Sequence, residues 1–324
     1  MKRRQFIALL GGAAAWPLAG HAQQRPILVG FLHNAPSKGL GHIVDAVRQG
    51  IEASSPKSPP VTIESRWAEG QYDRLPALAE ELVRLKPAAI VAGGHGATLA
   101  ATAATKTIPI VFLTGGDPVR DGLVESISRP GGNATGVSLV LGALGPKRLA
   151  MMRELLPNVG LVALLKNAGN PTVEAELREL EAAAQAMGQK LFVLDAPTPE
   201  TIDAAFATLV QKRAEALLIT VDSSFNGRRD QLIALAARHK VPAMYYAREF
   251  VASGGLISYG TDLADAYRQV GSEYVARILQ GAKPADLPVQ HPIKFRLAIN
   301  LATAKALGIT VPRVMLARAD EVIE

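Results

Sequence analysis

Glycines and polar residues that could contact a solute follow several short apolar runs of this 324-residue sequence. Asn34 and Ala35 come after the first run, where the Asn34 amide could hydrogen-bond a solute through either end or form a turn. Gly94, His95 and Gly96 come after the third run and open a helical pattern. The bare N–H groups of a helix start favour an anion such as a carboxylate, so we expect one to bind here. His95 could contact the same ligand or lie in a surface loop.

Candidate ligand contacts also follow the later apolar runs. Asp117 precedes a proline, which is typical of a helix start, so it could cap a helix or contact the ligand. Asp222 could pair with a ligand ammonium in a partly desolvated cleft, or form a turn or cap. Tyr245 and Tyr259 offer an apolar ring with a polar tip for closing over a solute, and core packing is the alternative for each. The candidate ligand-binding residues are Asn34, Ala35, Gly94, His95, Gly96, Asp117, Ser138, Asn167, Asp222, Tyr245 and Tyr259.

Catalytic and metal-binding patterns are missing from the sequence. It contains no Gly-x-Ser-x-Gly or His-Glu-x-x-His motif, its six histidines lack metal-ligand spacing, and it has no cysteine. No Gly-Lys-Ser/Thr follows the glycines at 93–96, so they do not form a P-loop. We therefore expect a protein that binds without catalysis, with neither a cofactor nor a metal.

The charge balance argues against a nucleic-acid partner. The formal net charge is +6, and Lys2, Arg3 and Arg4 contribute half of it. The remaining positive charge is small and dispersed, whereas nucleic-acid binding requires a basic patch or stripe.

The first 22 residues have the layout of a signal peptide. A basic start at residues 2–4 leads into an apolar stretch at 6–18 and then into small residues up to Ala22. Arg3 and Arg4 resemble a twin-arginine signal, and the apolar stretch is shorter than the roughly 20 residues of a spanning helix. Without a cysteine, no lipid anchor can follow the cut. We expect export to the periplasm, cleavage after Ala22 and no stable membrane insertion; a buried first helix is the alternative, which the glycines and proline of the stretch disfavour.

The elements that must position the candidate residues alternate in type along the chain. Short apolar runs, typical of strands buried on both faces of a parallel sheet, are separated by helical patterns. The pattern forms one unit and then restarts in a second unit of similar size. We predict an α/β fold with two doubly wound parallel-sheet lobes. Helices are predicted at residues 40–53, 72–85, 97–105, 144–155, 172–187, 200–213, 228–239 and 263–279.

Two similar junctions are predicted to carry the chain between the lobes. Each unit ends in Gly-Gly, at 131–132 and 254–255, followed by a short strand that we interpret as a crossover strand. This interpretation assigns residues 25–135 plus 260–324 to lobe 1 and residues 136–259 to lobe 2. Two independent tandem domains are the alternative, which the absence of a Ser- or Pro-rich linker disfavours. Ligands of open parallel sheets bind beyond the carboxyl ends of the strands, so two facing lobes would form a cleft.

Five segments resemble one known family, and the similarity extends over essentially the whole chain. They lie at residues 66–75 (RWAEGQYDRL), 115–119 (GGDPV), 129–136 (RPGGNATG), 228–232 (RRDQL) and 317–323 (ARADEVI). They resemble the ABC transporter substrate-binding proteins of the TrpX-like group. The resemblance implies a type I periplasmic-binding fold that captures a small molecule between its lobes. It also implies delivery of that ligand, an amino acid or a related small carboxylate, to an ABC permease with its ATPase.

Two other classes of protein use the same fold with a different macromolecular partner. A periplasmic sensor would use the same closing cleft and present its ligand to a membrane receptor. A sugar-operon-type repressor would need an N-terminal helix-turn-helix, and in this sequence that place is taken by the signal-like segment.

Export should be visible at the mature N-terminus. If residues 1–22 are removed as a signal peptide, N-terminal sequencing of the exported protein should begin near Gln23. An intact Met1 on protein recovered from a membrane fraction would contradict this prediction.

Overall fold

A computed structural model describes residues 26–38, 40–56, 59–139, 144–291 and 294–324. The predicted signal peptide, residues 1–22, lies outside the described residues. The described chain forms two α/β lobes, each built on one sheet. Among these residues no helix is both long enough and apolar enough to cross a membrane.

The short apolar runs form the strands. Those strands are β1 (Ile27–His33), β2 (Val61–Trp67), β3 (Ala89–Gly93), β4 (Ile110–Thr114), β5 (Ala134–Ser138), β6 (Leu161–Lys166), β7 (Lys190–Asp195), β8 (Ala216–Ile219), β9 (Ala243–Tyr245), β10 (Ile257–Thr261), β11 (Phe295–Asn300) and β12 (Glu321–Ile323). Every residue of β3, β4 and β5 is buried. Burial on both faces explains why these strands are continuous apolar runs rather than alternating ones.

The helices connect the strands and cover both faces of the sheets. They are α1 (Gly41–Ser54), α2 (Leu75–Arg84), α3 (His95–Ala104), α4 (Leu144–Leu155), α5 (Val173–Met187), α6 (Pro199–Gln211), α7 (Ser223–Gly227), α8 (Arg229–Arg238), α9 (Arg248–Ala252), α10 (Leu263–Gln269), α11 (Ala276–Leu279), α12 (Leu301–Ala306) and α13 (Arg313–Arg318). Tyr72–Arg74 and Pro284–Asp286 are 3-10 turns, and Val270–Val275 is a π-helical stretch that joins α10 to α11. Helix α6 begins with a capping box between Thr198 and Thr201, with Pro199 in the first turn.

The two sheets have the topology expected of doubly wound lobes. The first sheet has the order β2-β1-β3-β4-β5 and is entirely parallel. The second has the order β12-β11-β10-β9-β8-β6-β7, and its β10–β11 pair is antiparallel. Two parallel-sheet lobes confirm the predicted fold class.

Alternate residues of each strand face two hydrophobic clusters. In β1, Phe31 belongs to the cluster beneath α1 and α10, and Leu32 belongs to the cluster beneath α2 and α3. In β6, Leu164 and Leu165 are divided in the same way between the two clusters of the second lobe. Each sheet is therefore a central layer with an apolar core on either face.

The C-terminal tail contributes to both lobes. Helix α10 and the π-helical stretch pack on α1 of the first lobe, whereas β11 and β12 pair within the second sheet. The sequence interpretation had assigned all of residues 260–324 to lobe 1. The strands of the tail depart from that assignment because β10 belongs to the second sheet and its open edge accepts β11 as an antiparallel neighbour.

The chain crosses between the lobes three times instead of the predicted two. Strand β5 lies wholly in the first sheet and β10 wholly in the second, so the first two crossings follow the strands instead of dividing them. The third crossing follows His291, whose Nδ1 lies 2.9 Å from the carbonyl oxygen of Ser138. Ser138 and His291, which precede the first and third crossings, are therefore in contact.

The segment after β4 is a series of turns, so the predicted helix start at Asp117 is wrong. The Asp117 carboxylate does accept the backbone N–H groups of Val119 and Arg120, at 3.0 and 3.1 Å, as a helix cap would. Gly122 then adopts a φ of +68°, which a continuing right-handed helix cannot accommodate.

Helix α1 and the π-helical stretch approach each other through two glycines. A Cβ atom on Gly50 would lie 2.2 Å from the carbonyl oxygen of Arg268, and one on Gly271 would lie 2.2 Å from that of Val47. Both contacts are with backbone, which cannot rotate away as a side chain can. The glycines thus allow the close approach that anchors the tail helix on the first lobe.

Substituting Gly50 should therefore destabilise the protein. Gly50→Ala forces the two helices apart and should lower the free energy of unfolding by about 1–3 kcal/mol, the usual effect of overpacking. Gly41→Ala is the matched control, because Gly41 is in the same helix and has no atom within 4 Å of a built Cβ. The control should leave stability unchanged or raise it by up to about 1 kcal/mol. Urea unfolding measures both, and equal stability of the two variants would contradict the prediction.

Candidate functional site

The carboxyl ends of the strands from both lobes enclose a cavity. Its volume is about 90 Å³ when it is measured as the space open to the centres of water molecules. One water needs roughly 10–15 Å³ by this measure, so the cavity has room for roughly six to nine waters. Its walls are mainly apolar and aromatic, with a few convergent polar groups, as in many small-molecule sites. The cavity is lined by His33, Asn34, Leu40, Ile43, Tyr72, Gly94, His95, Gly96, Leu113, Gly115, Leu139, Asn170, Thr172, Val221, Ser223, Asn226, Tyr246, Ala247, Thr261, Leu263 and Tyr267.

The start of α3 forms the first-lobe wall of this cavity. Gly94 precedes the helix with a φ of +92°, and a Cβ atom there would lie 1.9 Å from Oδ1 of Asn34. Only glycine therefore lets the Asn34 amide reach the helix start. The N–H groups of the first helical turn have no intrahelical acceptors, and His95 and Gly96 of this turn line the cavity.

Asn34 joins the two lobes directly. Its Nδ2 donates to the hydroxyl oxygen of Ser223 in the second lobe and to the phenol oxygen of Tyr72 at 3.1 Å. Its Oδ1 is buried and has no hydrogen-bond partner in the part of the chain that the structure describes. An unsatisfied buried acceptor on a cavity wall is suited to a donor group on a ligand.

Asp222 provides a buried carboxylate on the second-lobe side. It is 1% exposed, and its Oδ1 accepts the backbone N–H of Ser224 at 2.7 Å, which caps α7. Tyr72 of the first lobe donates to Oδ2 at 3.4 Å. Burial raises the pKa of the Asp222 carboxyl, and hydrogen bonds from Ser224 and Tyr72 act in the opposite direction. The carboxylate thus combines the capping role with an interlobe contact behind the wall residues Val221 and Ser223.

His33 is a neutral imidazole at the base of the cavity. It packs among the rings of Phe31, Trp67 and Tyr267, with centroid distances of 5.9, 5.2 and 6.2 Å. Burial lowers the pKa of His33 to about 3. Its Nδ1 accepts the backbone N–H of Ala35 at 2.9 Å, which assigns the ring proton to Nε2.

His95 is held by side chains of its own lobe. Its Nδ1 lies 2.9 Å from the hydroxyl of Thr114, and its Nε2 lies 3.5 Å from a carboxylate oxygen of Asp121. Burial lowers the pKa of His95 despite the opposing effect of Asp121. With both histidines neutral and no Lys or Arg in the wall, the lining residues carry no positive charge.

The predicted site residues divide into three groups. Asn34, Gly94, His95 and Gly96 line the cavity, and Asp222 does not line it but stands between the lining residues Val221 and Ser223 in the sequence. Asp117 and Ser138 line a neighbouring interlobe cavity of about 410 Å³. Ala35, Asn167, Tyr245 and Tyr259 are not among the lining residues of either cavity.

The residues of the third group have contacts of their own. Ala35 donates its N–H to His33, and the Asn167 amide donates to the hydroxyl of Ser224 at 3.2 Å, which supports α7. Tyr245 stacks on Phe250 with centroids 4.7 Å apart, and Tyr259 lies 6.3 Å from Phe295 by the same measure.

Several wall residues are not among the candidate ligand-binding residues of the sequence analysis. Of two adjacent tyrosines, Tyr246 lines the cavity and the candidate Tyr245 does not, because successive side chains point to opposite sides of an extended chain. Tyr72 lies in the segment 66–75 that carried the family resemblance, but nothing in its residue type indicated a contact across the cleft. Thr261 and Tyr267 reach the cavity from β10 and α10, and the Thr261 hydroxyl has no hydrogen-bond partner within the described ranges.

Comparison with known proteins gives a consistent result. A model of the family described as ABC transporter substrate binding protein matches residues 33–323. A tyrosine-binding protein of Clostridioides difficile (strain R20291) is 26% identical over 249 residues, which are 77% of this chain and 71% of that protein.

Two solved structures are similar to both lobes. The ABC domain in complex with L-Trp from Streptococcus pneumonia is 25% identical with a TM-score of 0.82, over 92% of this chain and 100% of that one. A conserved domain protein of Vibrio cholerae O1 biovar El Tor is 28% identical with a TM-score of 0.81, over 92% of this chain and 100% of that one.

The buried His33 should make the protein sensitive to acid. Because its pKa in the folded state, about 3, lies below the usual 6.5, its contribution to stability is present above pH 6.5 and is lost as the pH falls toward 3. The loss is about 1.4 kcal/mol for each pH unit. His33→Asn keeps an acceptor for the Ala35 N–H and removes the titrating ring. Between about pH 6.5 and pH 4, the unfolding free energy of the variant should therefore fall less steeply than that of the wild type, by about 1.4 kcal/mol per pH unit. Urea unfolding across that range tests the prediction, and identical slopes for variant and wild type would contradict it.

Proposed function

The chain belongs to the family of ABC transporter substrate-binding proteins, and we propose that it captures an amino acid between its lobes for an ABC importer. Its family and structural neighbours are solute-binding proteins and not enzymes. The proposal places the protein in the periplasm after removal of residues 1–22, where it delivers the ligand to a permease with its ATPase. A sensor that presents the same ligand to a membrane receptor would use the same cleft and differ in its partner.

The observation that carries the proposal is the buried carboxylate of Asp222, whose neighbours Val221 and Ser223 line the same cavity as the α3 start. A ligand ammonium beside Asp222 would gain a charge-assisted hydrogen bond in a desolvated site. Tyr72 of the first lobe donates to this carboxylate, so Asp222 lies within hydrogen-bond distance of a group from across the cleft. Its hydrogen-bond donors are neutral, and a ligand ammonium would supply the opposite charge that a buried carboxylate favours.

The ligand carboxylate is assigned to the α3 start. No Lys or Arg is among the described residues that line the cavity, so a carboxylate must be met there by neutral donors and by the helix dipole. We assign this role to the N–H groups at His95 and Gly96. A ligand with both charges matches the two walls, whereas a dianion would leave one negative charge without a partner.

The size and lining of the cavity support an amino acid with a sizeable apolar side chain. Room for six to nine waters corresponds to roughly 180–270 Å³ of liquid water. Leu40, Ile43, Leu113 and Leu139 provide apolar walls, and the ring of Tyr267 closes the base. Two of the similar proteins have aromatic amino acids as ligands, tyrosine in the Clostridioides difficile protein and L-Trp in the Streptococcus structure, which supports an aromatic or branched ligand here.

Removing the charge of Asp222 should weaken amino-acid binding. Asp222→Asn keeps the shape and the α7 cap, since Asn and Asp cap helices about equally well. We expect the binding free energy to weaken by roughly 1.5–3 kcal/mol, the scale of a hydrogen bond to a charged group. The Kd should therefore rise roughly 10- to 150-fold. Titration calorimetry with L-tryptophan and L-tyrosine on wild type and variant measures it.

Two controls separate this effect from a structural one. Asp117→Asn changes an exposed aspartate that also caps a turn, and it should leave the Kd unchanged. A deaminated analogue such as 3-(indol-3-yl)propionate should lose much less affinity than L-tryptophan on Asp222→Asn, because it has no ammonium. Equal affinity of Asp222→Asn and wild type for an amino acid would show that Asp222 is only a capping residue.

A further inference from the structure

Arg148 is a charged side chain buried without full compensation. It is 0% exposed, and its Nη2 contacts Oε1 of Glu176 at 2.6 Å. Its Nε and Nη1 atoms have no hydrogen-bond partner among the residues that the structure describes. Such a pair is usually no more stabilising than apolar residues of the same volume. Stability alone therefore does not explain an arginine at this position.

Glu176 links Arg148 to the backbone beside Asp222. Its second oxygen, Oε2, accepts the N–H of Val221 at 2.9 Å. The Asn170 amide donates to the carbonyl oxygen of the same Val221 at 2.8 Å, and the Tyr246 hydroxyl donates to the carbonyl oxygen of Asp222. Buried side chains thus hold the backbone on both sides of Asp222, immediately behind the cavity wall.

The chemistry of a carboxylate is necessary for this arrangement. Each carboxylate oxygen of Glu176 accepts one hydrogen bond. Oε1 accepts from Arg148, and Oε2 accepts from the Val221 N–H. A glutamine offers one acceptor and one donor group, and the charged Arg148 is the stronger donor, so the glutamine oxygen would accept from Arg148 and its NH₂ would be directed at the Val221 N–H. Removing the arginine would free a glutamine to accept from Val221 alone.

We propose that Arg148 and Glu176 are positioning residues for recognition of the ligand's ammonium. Arg148 orients Glu176, and Glu176 fixes the Val221 N–H and with it the place of the Asp222 carboxylate. Ammonium recognition rests on the proposed function, whereas the backbone contact does not depend on any ligand.

Three variants of the full chain separate positioning from charge and from folding. E176Q places a side-chain amide between two hydrogen-bond donors, the Arg148 guanidinium and the Val221 N–H. R148M/E176Q removes both charges and keeps an acceptor for Val221, and R148M/E176L removes both charges and the acceptor. R318M/E154Q is the matched control, because it removes an Arg–Glu pair that is also anchored on α4 but lies away from the cleft. Thermal melting checks that each variant is folded.

The first measurement is hydrogen exchange at the Val221 amide in protein without ligand. We expect exchange at least about tenfold faster than in wild type for E176Q and R148M/E176L, because the Val221 donor loses its acceptor. R148M/E176Q and R318M/E154Q should exchange at close to the wild-type rate. Recovery in the double variant is the coupling that a merely stabilising ion pair would not produce.

The second measurement is the ratio of the Kd of 3-(indol-3-yl)propionate to that of L-tryptophan. This preference for the ammonium should fall about tenfold or more in E176Q and R148M/E176L, and should persist in R148M/E176Q. If the two double variants behave alike in both measurements, or if E176Q behaves as wild type, the proposal is overturned. Wild-type protein that binds neither L-tryptophan nor L-tyrosine would contradict an aromatic amino acid as the ligand of the proposed function, and the exchange rates would still decide the positioning role.

Discussion

The buried carboxylate of Asp222 imposes the main constraint on the architecture of this protein. At 1% exposure its charge cannot be solvated by water, so protein groups must meet it. They come from two directions: the backbone N–H of Ser224 at the start of α7, and the Tyr72 phenol of the other lobe. The short helix and the closed arrangement of the lobes both contribute to meeting this one requirement.

The same constraint couples closure of the lobes to satisfaction of polar groups. Asn34 reaches Ser223 and Tyr72 reaches Asp222 across the cleft, so these polar groups find partners only when the lobes face each other. Opening the cleft would return them to water, where they are also satisfied. A ligand that adds partners to those that Ser223 and Asp222 supply to Asn34 and Tyr72 would stabilise the closed arrangement, as a ligand with differential affinity must.

Neutrality of the first-lobe wall complements the negative charge of the second. His33 and His95 are kept uncharged by burial, and the helix start contributes only partial positive charge. A fixed cation in this wall would pair with Asp222 in the absence of a ligand and compete with a ligand ammonium. The arrangement therefore leaves Asp222 available, and it depends on glycines 94 and 96, which keep the helix start open to the cavity.

The sequence by itself determined the α/β class, the two-lobed organisation and most of the long helices, because burial on both faces and helical periodicity are local patterns. It also indicated Asn34, the α3 start and Asp222, since residues that end parallel strands meet at one edge of a sheet. The short helices α7, α12 and α13 were not anticipated, because five or six residues carry too little periodicity. The return of the tail into the second sheet depended on which strand offered an open edge.

Only the tertiary structure decided which side chains meet across the cleft. Tyr245 and Tyr246 are the same residue type in adjacent positions, yet one stacks on Phe250 in the core and the other lines the cavity. Tyr72 and Asp222 are 150 residues apart, and their contact exists only because the lobes face each other. The pairing of Arg148 with Glu176 likewise follows from the packing of α4 on α5, which brings together charges that no sequence spacing relates.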